Sequence, residues 1–520
     1  MEQDYDFIII GSGFGGSVSA LRLSEKGYKV LVVEKGKWYK STDFAKTNWN
    51  IKKWLWIPLL RCFGIMKLTI FRHINVLSGT GVGGGSLVYA NTLPIPKKEF
   101  YTTGSWASLA NWEQELKPHY QTALKMLGAT PNPKLFDGDK ELQTLADAMG
   151  IPDEFERPNV AIYFGENGKS NPDPYFDGQG PERSGCTFCG GCMTGCRYNA
   201  KNTLDKNYLY LAQKYGAEIL AENEVVDVQQ NGEHNGYRVY LKSSTRVFGK
   251  KRSIASKGVI FSGGVLGTIK LLLKLKMKSL PKLSDHLGND IRTNNETLIS
   301  VSTTDKAKDV SRGIAIGSLL HTDKNSHLEI VRYSKGSDFW KLSHLPYATG
   351  KNILVRLVKM LGAFVSSPWS YLKIYLGQAW AKHTVVLLFM QTLDSTLKFR
   401  RGIFGGLKST VGKGKKPTIN LPESIALTEA YSKIINGKPT SFAMETLAGM
   451  PSTAHILGGA VMAKDESEGV IDENNRVFNY PNMYVIDGSM ISANPGVNPS
   501  LSITAIAERA MSLIPIKGAS

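Results

Sequence analysis

Asp4-Tyr5-Asp6-Phe7-Ile8-Ile9-Ile10-Gly11-Ser12-Gly13-Phe14-Gly15-Gly16 is the stretch on which the reading of this sequence turns. Residues 4–10 read as a buried strand, and the glycines that follow have the G-x-G-x-x-G spacing. Apolar residues then recur at helical intervals over Ser17–Lys26 (Val18, Leu21, Leu23), and Gly27 marks the stop. Tyr28–Val33 reads as a second strand, closing at Glu34. Together these make a βαβ unit with a physical role for each special residue. Gly11 permits the tight turn, Gly13 lets the backbone approach a pyrophosphate, and Gly16 lets helix and strand pack closely. The helix N-terminus stabilises phosphate charge, and Glu34 suits a ribose diol. An acid at that place argues against a 2′-phosphate, hence against NADP. The unit alone does not decide between FAD and NAD.

A second glycine-rich segment, Gly79-Thr80-Gly81-Val82-Gly83-Gly84-Gly85-Ser86, is embedded between Leu77 and Leu87-Val88-Tyr89 rather than lying in a linker. So many glycines predict close backbone approach or positive φ. Gly81-Val82-Gly83-Gly84-Gly85-Ser86-Leu87-Val88 resembles the second flavin-binding signature of the glucose–methanol–choline (GMC) oxidoreductases, in their cholesterol oxidase-like branch. Ser262-Gly263-Gly264-Val265-Leu266-Gly267-Thr268 resembles the family's internal signature at the end of a Rossmann strand. Ala454-His455-Ile456-Leu457-Gly458-Gly459 is similar to the segment that bears its catalytic histidine. Tyr484-Val485-Ile486-Asp487-Gly488-Ser489 and Gly496-Val497-Asn498-Pro499-Ser500 resemble its C-terminal flavin and active-site segment. The matches follow the family's order from residue 6 to about 512; residues 300–450, where the family's substrate domain varies, match poorly.

The resemblance implies FAD, and an α/β fold with a discontinuous Rossmann-type FAD-binding domain and an α+β substrate-binding domain. The expected organisation is 1–100, 201–300 and 451–520 for the flavin domain. Segment 101–200 is expected to cover the flavin and carry the cysteines, and 301–450 to form the substrate domain. Cofactor contacts are expected at Gly11, Gly13, Phe14, Gly16, Glu34, Gly79, Gly81, Gly84, Gly85, Ser86, Asp487 and Gly488. Alcohol oxidation by flavin needs hydride transfer from the carbinol carbon and removal of the hydroxyl proton, and a histidine suits the second task. By resemblance, His455 positions the hydroxyl and manages its proton, and Asn498 hydrogen-bonds the substrate oxygen or the flavin edge. The branch also uses a glutamate from its substrate domain, for which Glu296, Glu329 and Glu445 are unranked candidates. Its pattern has an Asn near where Tyr89 stands here, with Asn91 two positions on.

Four of the five cysteines form Cys186-x2-Cys189-x2-Cys192-x3-Cys196, the spacing of ferredoxin-type clusters, although Arg197 stands where that pattern has Pro. An iron–sulfur cluster, zinc, and a metal-free glycine-rich turn are the three readings. Some bacterial members of the branch and plant long-chain fatty alcohol oxidases have a similar run. Four cysteines so close together suit a reducing compartment better than a disulfide framework.

The chain has 520 residues, 42% hydrophobic and 21% charged, enough to bury a large core, and a net charge of +18. That charge is local. Residues 351–416 hold twelve Lys/Arg against Asp394, and residues 51–72 hold five against no acid. Both stretches interleave cations with large apolar residues such as Trp54, Trp56, Phe364 and Trp369. Such a pattern suits either a membrane interface or ordinary core with snorkelling lysines. No recognition motif accompanies the charge, so nucleic acid is not an expected partner. No secretory signal and no apolar run long enough to span a bilayer is visible, so the expectation is cytoplasmic, with peripheral membrane contact as an option. The expected partners are a hydrophobic, sterol-like alcohol and an electron acceptor, oxygen or a redox protein. A long-chain fatty alcohol oxidase or dehydrogenase, and a flavin electron-transfer protein without alcohol turnover, are the alternatives.

Overall fold

The structure is a computed structural model that describes residues 4–518 except 232–235, 247–248, 378, 404, 413 and 415. Lys413 and Lys415 of the late basic stretch therefore lie outside the described residues.

Strand β1 (Tyr5–Ile10) runs parallel to β2 (Val30–Val33), pairing Phe7 with Val30 and Ile10 with Val33. On its other side it runs parallel to β3 (Arg252–Phe261), pairing Ile10 with Phe261. The short strand Met483–Val485 continues the parallel array beyond β3, and Glu218–Leu220 does so beyond β2. Both faces of β1 and β2 are covered, which is why Ile8, Ile9, Val30 and Val32 are fully buried and why these strands read as unbroken apolar runs. Strands Asn223–Asn231 and Gly236–Ser243 extend the sheet antiparallel from β3. Residues 251 apart in the chain, such as Tyr5 and Ser256, thus pair in one sheet, so this Rossmann-type domain is discontinuous in sequence.

Helix α1 spans Phe14–Glu25, with extended Gly13 as its N-cap, so it begins three residues earlier than the apolar spacing suggests. Starting inside the glycine motif leaves the first-turn N–H groups free to face a ligand rather than a side-chain cap. The end is as expected: Gly27 follows the helix at φ +82°. Helix α2 (Gly264–Lys276) leaves the end of β3 in the same way.

The second sheet is antiparallel and seven-stranded. At its centre lie β4 (Thr297–Thr303), β5 (Ser326–Val331) and β6 (Thr384–Gln391), with β6 between the other two. Strand β7 (Gly437–Phe442) flanks β4, and His344–Pro346 forms the edge beside β7. Ile316–His321 and then Phe155–Glu156 complete the other side, so the segment 101–200 contributes a strand here. Helices pack on this sheet, which makes it an α+β unit. Helix Asp137–Ala148 is clamped to it by Asp139, whose carboxylate receives both Arg332 Nη2 (2.5 Å) and Nη1 (2.9 Å) in a fully buried pair. Helices α3 (Ile353–Ser366) and α4 (Pro368–Leu376) form the connection between the His344–Pro346 edge and β6. Among the described residues no helix is long and apolar enough to cross a membrane.

Candidate active site

The two glycine turns meet at the carboxyl end of β1, where open α/β sheets bind ligands. Gly11 adopts φ +108°, and a Cβ there would stand 2.3 Å from the Ser262 carbonyl oxygen, so only glycine fits where β1 and β3 converge. Gly84 likewise sits against Gly13: its Cβ would be 2.6 Å from the Gly13 Cα. Ser12 ties the turns together. Its hydroxyl donates to Glu34 Oε2 (2.8 Å) and accepts from Gly83 N (3.1 Å).

These turns form one end of a cavity of ≈ 680 Å³ that runs from the first sheet to the second. Gly11, Gly13, Phe14, Glu34, Gly79, Gly84, Gly85, Asp487 and Gly488 line it. Gly16, Gly81 and Ser86 do not. Gly16 packs against the Gly11 carbonyl, where a Cβ would stand 2.1 Å away. Gly81 abuts Tyr39 and Leu87. The Ser86 hydroxyl holds the second turn closed by donating to Gly83 O (2.7 Å) and accepting from Leu204 N (3.0 Å). Glu34 accepts from Ser12 N (3.1 Å) and Gly36 N (2.8 Å), which fixes its carboxylate at the cavity wall. Asp487 is held by Thr268 Oγ1 (2.5 Å) and Ser489 N (2.8 Å), and burial raises its carboxyl above the ordinary range despite those donors. Tyr89 lines the cavity and donates its hydroxyl to Asn202 O (2.9 Å); the buried Asn91 side chain makes no hydrogen bond.

The other end of the cavity carries the polar chemistry. His455 Nδ1 lies 2.6 Å from Glu296 Oε2, and the second oxygen of Glu296 accepts from Ala454 N at 2.6 Å. A carboxylate at Nδ1 makes that nitrogen the donor, so Nε2 is left with its lone pair facing the cavity. Burial alone would lower the His455 pKa, but the Glu296 charge and hydrogen bond outweigh it, and the net shift is upward. Asn498 Nδ2 lies 3.5 Å from His455 Nε2 and donates to Glu329 Oε2 at 3.3 Å. Glu329 in turn faces His327 Nε2 at 3.3 Å. The buried Asn498 Oδ1 has no partner within the protein, an acceptor held ready for a group that enters the cavity.

His455 and Asn498 therefore stand side by side. Of the three glutamates, Glu296 and Glu329 join them from the second sheet and its approach. Glu445 instead holds the Ser452 amide (3.1 Å). The acids escaped a local reading because they lie 159 and 169 residues from their partners. The cavity is also walled by apolar residues including Met193, Leu388, Trp340, Trp380 and Phe442.

The cysteine run corrects the metal expectation. Among the described residues no group of three or more His, Cys, Asp or Glu is arranged to hold a metal ion, so Cys186, Cys189, Cys192 and Cys196 do not fit an iron–sulfur or zinc centre. All four are free thiols. Cys186, Cys192 and Cys196 pack into an apolar cluster with Val160, Ile162 and Ile314. Burial raises the Cys186 thiol pKa and pushes that of Cys192 up to about 11, whereas the Lys206 charge and backbone N–H groups lower that of Cys196 against its burial. The segment braces the site. Fully buried Lys201 donates to Leu87 O (3.0 Å), Tyr89 O (2.9 Å) and Cys192 O (2.8 Å), joining the exit of the second glycine turn to the cysteine loop. Met193 from the same loop reaches the cavity.

A parallel sheet with two converging glycine turns, and a histidine–carboxylate pair across the cavity, fits a dinucleotide-dependent oxidoreductase. Comparison with known proteins makes the class specific. The GMC oxidoreductase N-terminal model matches residues 5–279 and the C-terminal model matches residues 425–507. The chain is 46% identical to a cholesterol oxidase of Acinetobacter baumannii, covering 99% of this chain and 95% of that one. It is 40% identical to a cholesterol oxidase of Mycobacterium tuberculosis, covering 100% and 92%. A long-chain-alcohol oxidase of Arabidopsis thaliana is 24% identical over 96% of this chain and 66% of its own length. The fold resembles that of a pyridoxine 4-oxidase from Mesorbium loti, with a TM-score of 0.62 at 14% identity over 98% of both chains. This chain belongs to the GMC oxidoreductase family. It is an FAD-dependent enzyme that oxidises the CH–OH group of an alcohol.

Proposed function

We propose that this enzyme oxidises a bulky hydrophobic alcohol of the sterol class, with oxygen as the electron acceptor. The observation that carries the reading is the largely apolar cavity wall beside His455, whose Nε2 sits next to the unpartnered amide oxygen of Asn498. The identity to cholesterol oxidases over nearly the full chain supports the substrate class and the acceptor. A substrate of this class resides in membranes, and the two basic apolar stretches suit peripheral contact with one.

FAD fits the cavity by its donor set. The open backbone at Gly13 and the N-terminus of α1 suit the pyrophosphate, Glu34 the ribose, and Asp487 and Gly488 the ribityl region. Bound there, FAD supplies the hydride acceptor. The chain's own residues manage the rest. His455 Nε2 accepts the hydroxyl proton as CH–OH becomes C=O. Glu296 keeps Nδ1 protonated, holds the ring orientation and stabilises the imidazolium that forms. Asn498 steers the hydroxyl beside Nε2, and Glu329 fixes the Asn498 amide.

Anaerobic reduction of the bound flavin across an alcohol panel tests this reading. Sterols should reduce it faster than linear long-chain alcohols. The reading fails if sterols leave the oxidised spectrum unchanged.

A further inference from the structure

Helix α3 is built the wrong way round for a helix of a water-facing surface. Leu354, Val358, Leu361 and Val365 recur at helical spacing and form one stripe. Such a stripe ordinarily faces the core, yet these residues are 69%, 70%, 58% and 74% exposed. The residue that α3 turns inward is the cation Arg356, 7% exposed. It is fully engaged, with Nε donating to Thr446 O (2.7 Å), Nη1 to Gly350 O (3.0 Å) and Nη2 to Leu447 O (3.0 Å). Helix α4 adds Trp369 and Leu376, 76% and 78% exposed. An outward stripe of this size, anchored by a buried arginine, marks an interaction surface rather than scattered apolar residues.

Charge selects the occupant. Lys359 and Lys373 are exposed beside the stripe, and no Asp or Glu occurs between Asp338 and Asp394. A second copy of the chain docked on this face would set cations against cations. An anionic lipid surface complements them, and takes up the apolar side chains below its headgroups.

The face also has a way in. A groove of ≈ 460 Å³ lies beside it, lined by Leu342, His344, Leu361, Phe364 and Tyr375 among others. His344 also lines the cavity that holds His455. His344 therefore borders both the groove beside the exposed stripe and the cavity of the active site. We propose that the α3–α4 face docks on an anionic bilayer and that this groove delivers the alcohol from the bilayer past His344 to His455. The inference rests on the substrate reading above and adds the surface and the route.

Flotation of the holoenzyme with vesicles tests it, comparing phosphatidylcholine alone with phosphatidylcholine plus phosphatidylserine. Sterol turnover is measured in parallel from the same vesicles and from cyclodextrin solution. Wild type should float with the anionic vesicles. L354D/V358D should stay behind, and K359E/K373E should bind at least roughly thirtyfold more weakly. Both variants should keep turnover from cyclodextrin and lose it from vesicles. The charge-reversal pair alters exposed residues and keeps the test sound if the apolar pair fails to fold. Wild type that does not float yet oxidises sterol from cyclodextrin overturns this inference and leaves the substrate reading standing. Flotation without sterol turnover in either presentation supports the docking face and overturns the substrate reading. Variants that float like wild type overturn the inference, as does a wild-type dimer that L354D/V358D converts to a monomer without changing flotation.

Discussion

At the residue scale the site depends on how one carboxylate sets one imidazole. Glu296 raises the His455 pKa against the effect of burial, and in the proposed reaction His455 must be neutral to accept a proton. Activity should therefore rise with pH through that pKa. In Glu296→Gln the charge is gone and the pKa falls, so the acidic limb of the kcat/KM profile should move to lower pH while the maximum rate drops. A profile unmoved on the pH axis contradicts the pairing. His455→Ala should lower the rate of flavin reduction by about 10²–10⁴-fold with FAD still bound, as expected for loss of a general base. Glu445 offers a separate check. Burial raises its carboxyl from 4.5 to about 8, so between those values the folded protein holds a proton that the unfolded chain releases. Its contribution to stability is fully present below 4.5 and is lost as pH rises toward about 8. Glu445→Gln keeps the acceptor for Ser452 N but does not titrate. Its thermal midpoint should gain on wild type steadily across that window, and a constant difference refutes the assignment.

Among elements, α1 and its flanking strands were legible because their information is local. Apolar strand, glycine turn, helical period and stop glycine all lie within one short stretch. The helix start moved to Phe14 because a glycine N-cap facing a ligand leaves no side-chain signal. The antiparallel sheet was not legible strand by strand, since β4, β6 and β7 pair across long separations and have no turn motif between them. The clamp of helix Asp137–Ala148 to that sheet is of the same kind. Asp139→Ala would leave Arg332 buried and unpaired, a loss of about 3–5 kcal/mol, measurable as a lower denaturation midpoint in urea. The cysteine loop shows the opposite failure. Its spacing is a strong local pattern, yet the thiols lie in an apolar cluster and the loop braces the second glycine turn through Lys201.

For the whole molecule, the cavity runs from one sheet to the other, so a cofactor that fills it links both. Stripping FAD should lower the thermal midpoint, and adding it back should restore it in a concentration-dependent way. The charge belongs to this scale too. A net +18 spread evenly would have described a generally basic protein. Its concentration in two stretches became meaningful when both were found around one aromatic core, where Trp54 packs on Trp340 beside Tyr371 and Trp380. By itself the sequence determined the nucleotide-binding unit, because that rests on residues adjacent in the chain whose spacing is dictated by backbone geometry; the family, the cofactor and the expected roles of His455 and Asn498 came from resemblance of whole motifs. The tertiary structure alone decided which glutamates face that pair, that the cysteines are not gathered into a metal-holding group among the described residues, and that α3 turns its apolar side outward. Those outcomes depend on which distant segments are brought within hydrogen-bonding or packing distance, and no local spacing encodes that.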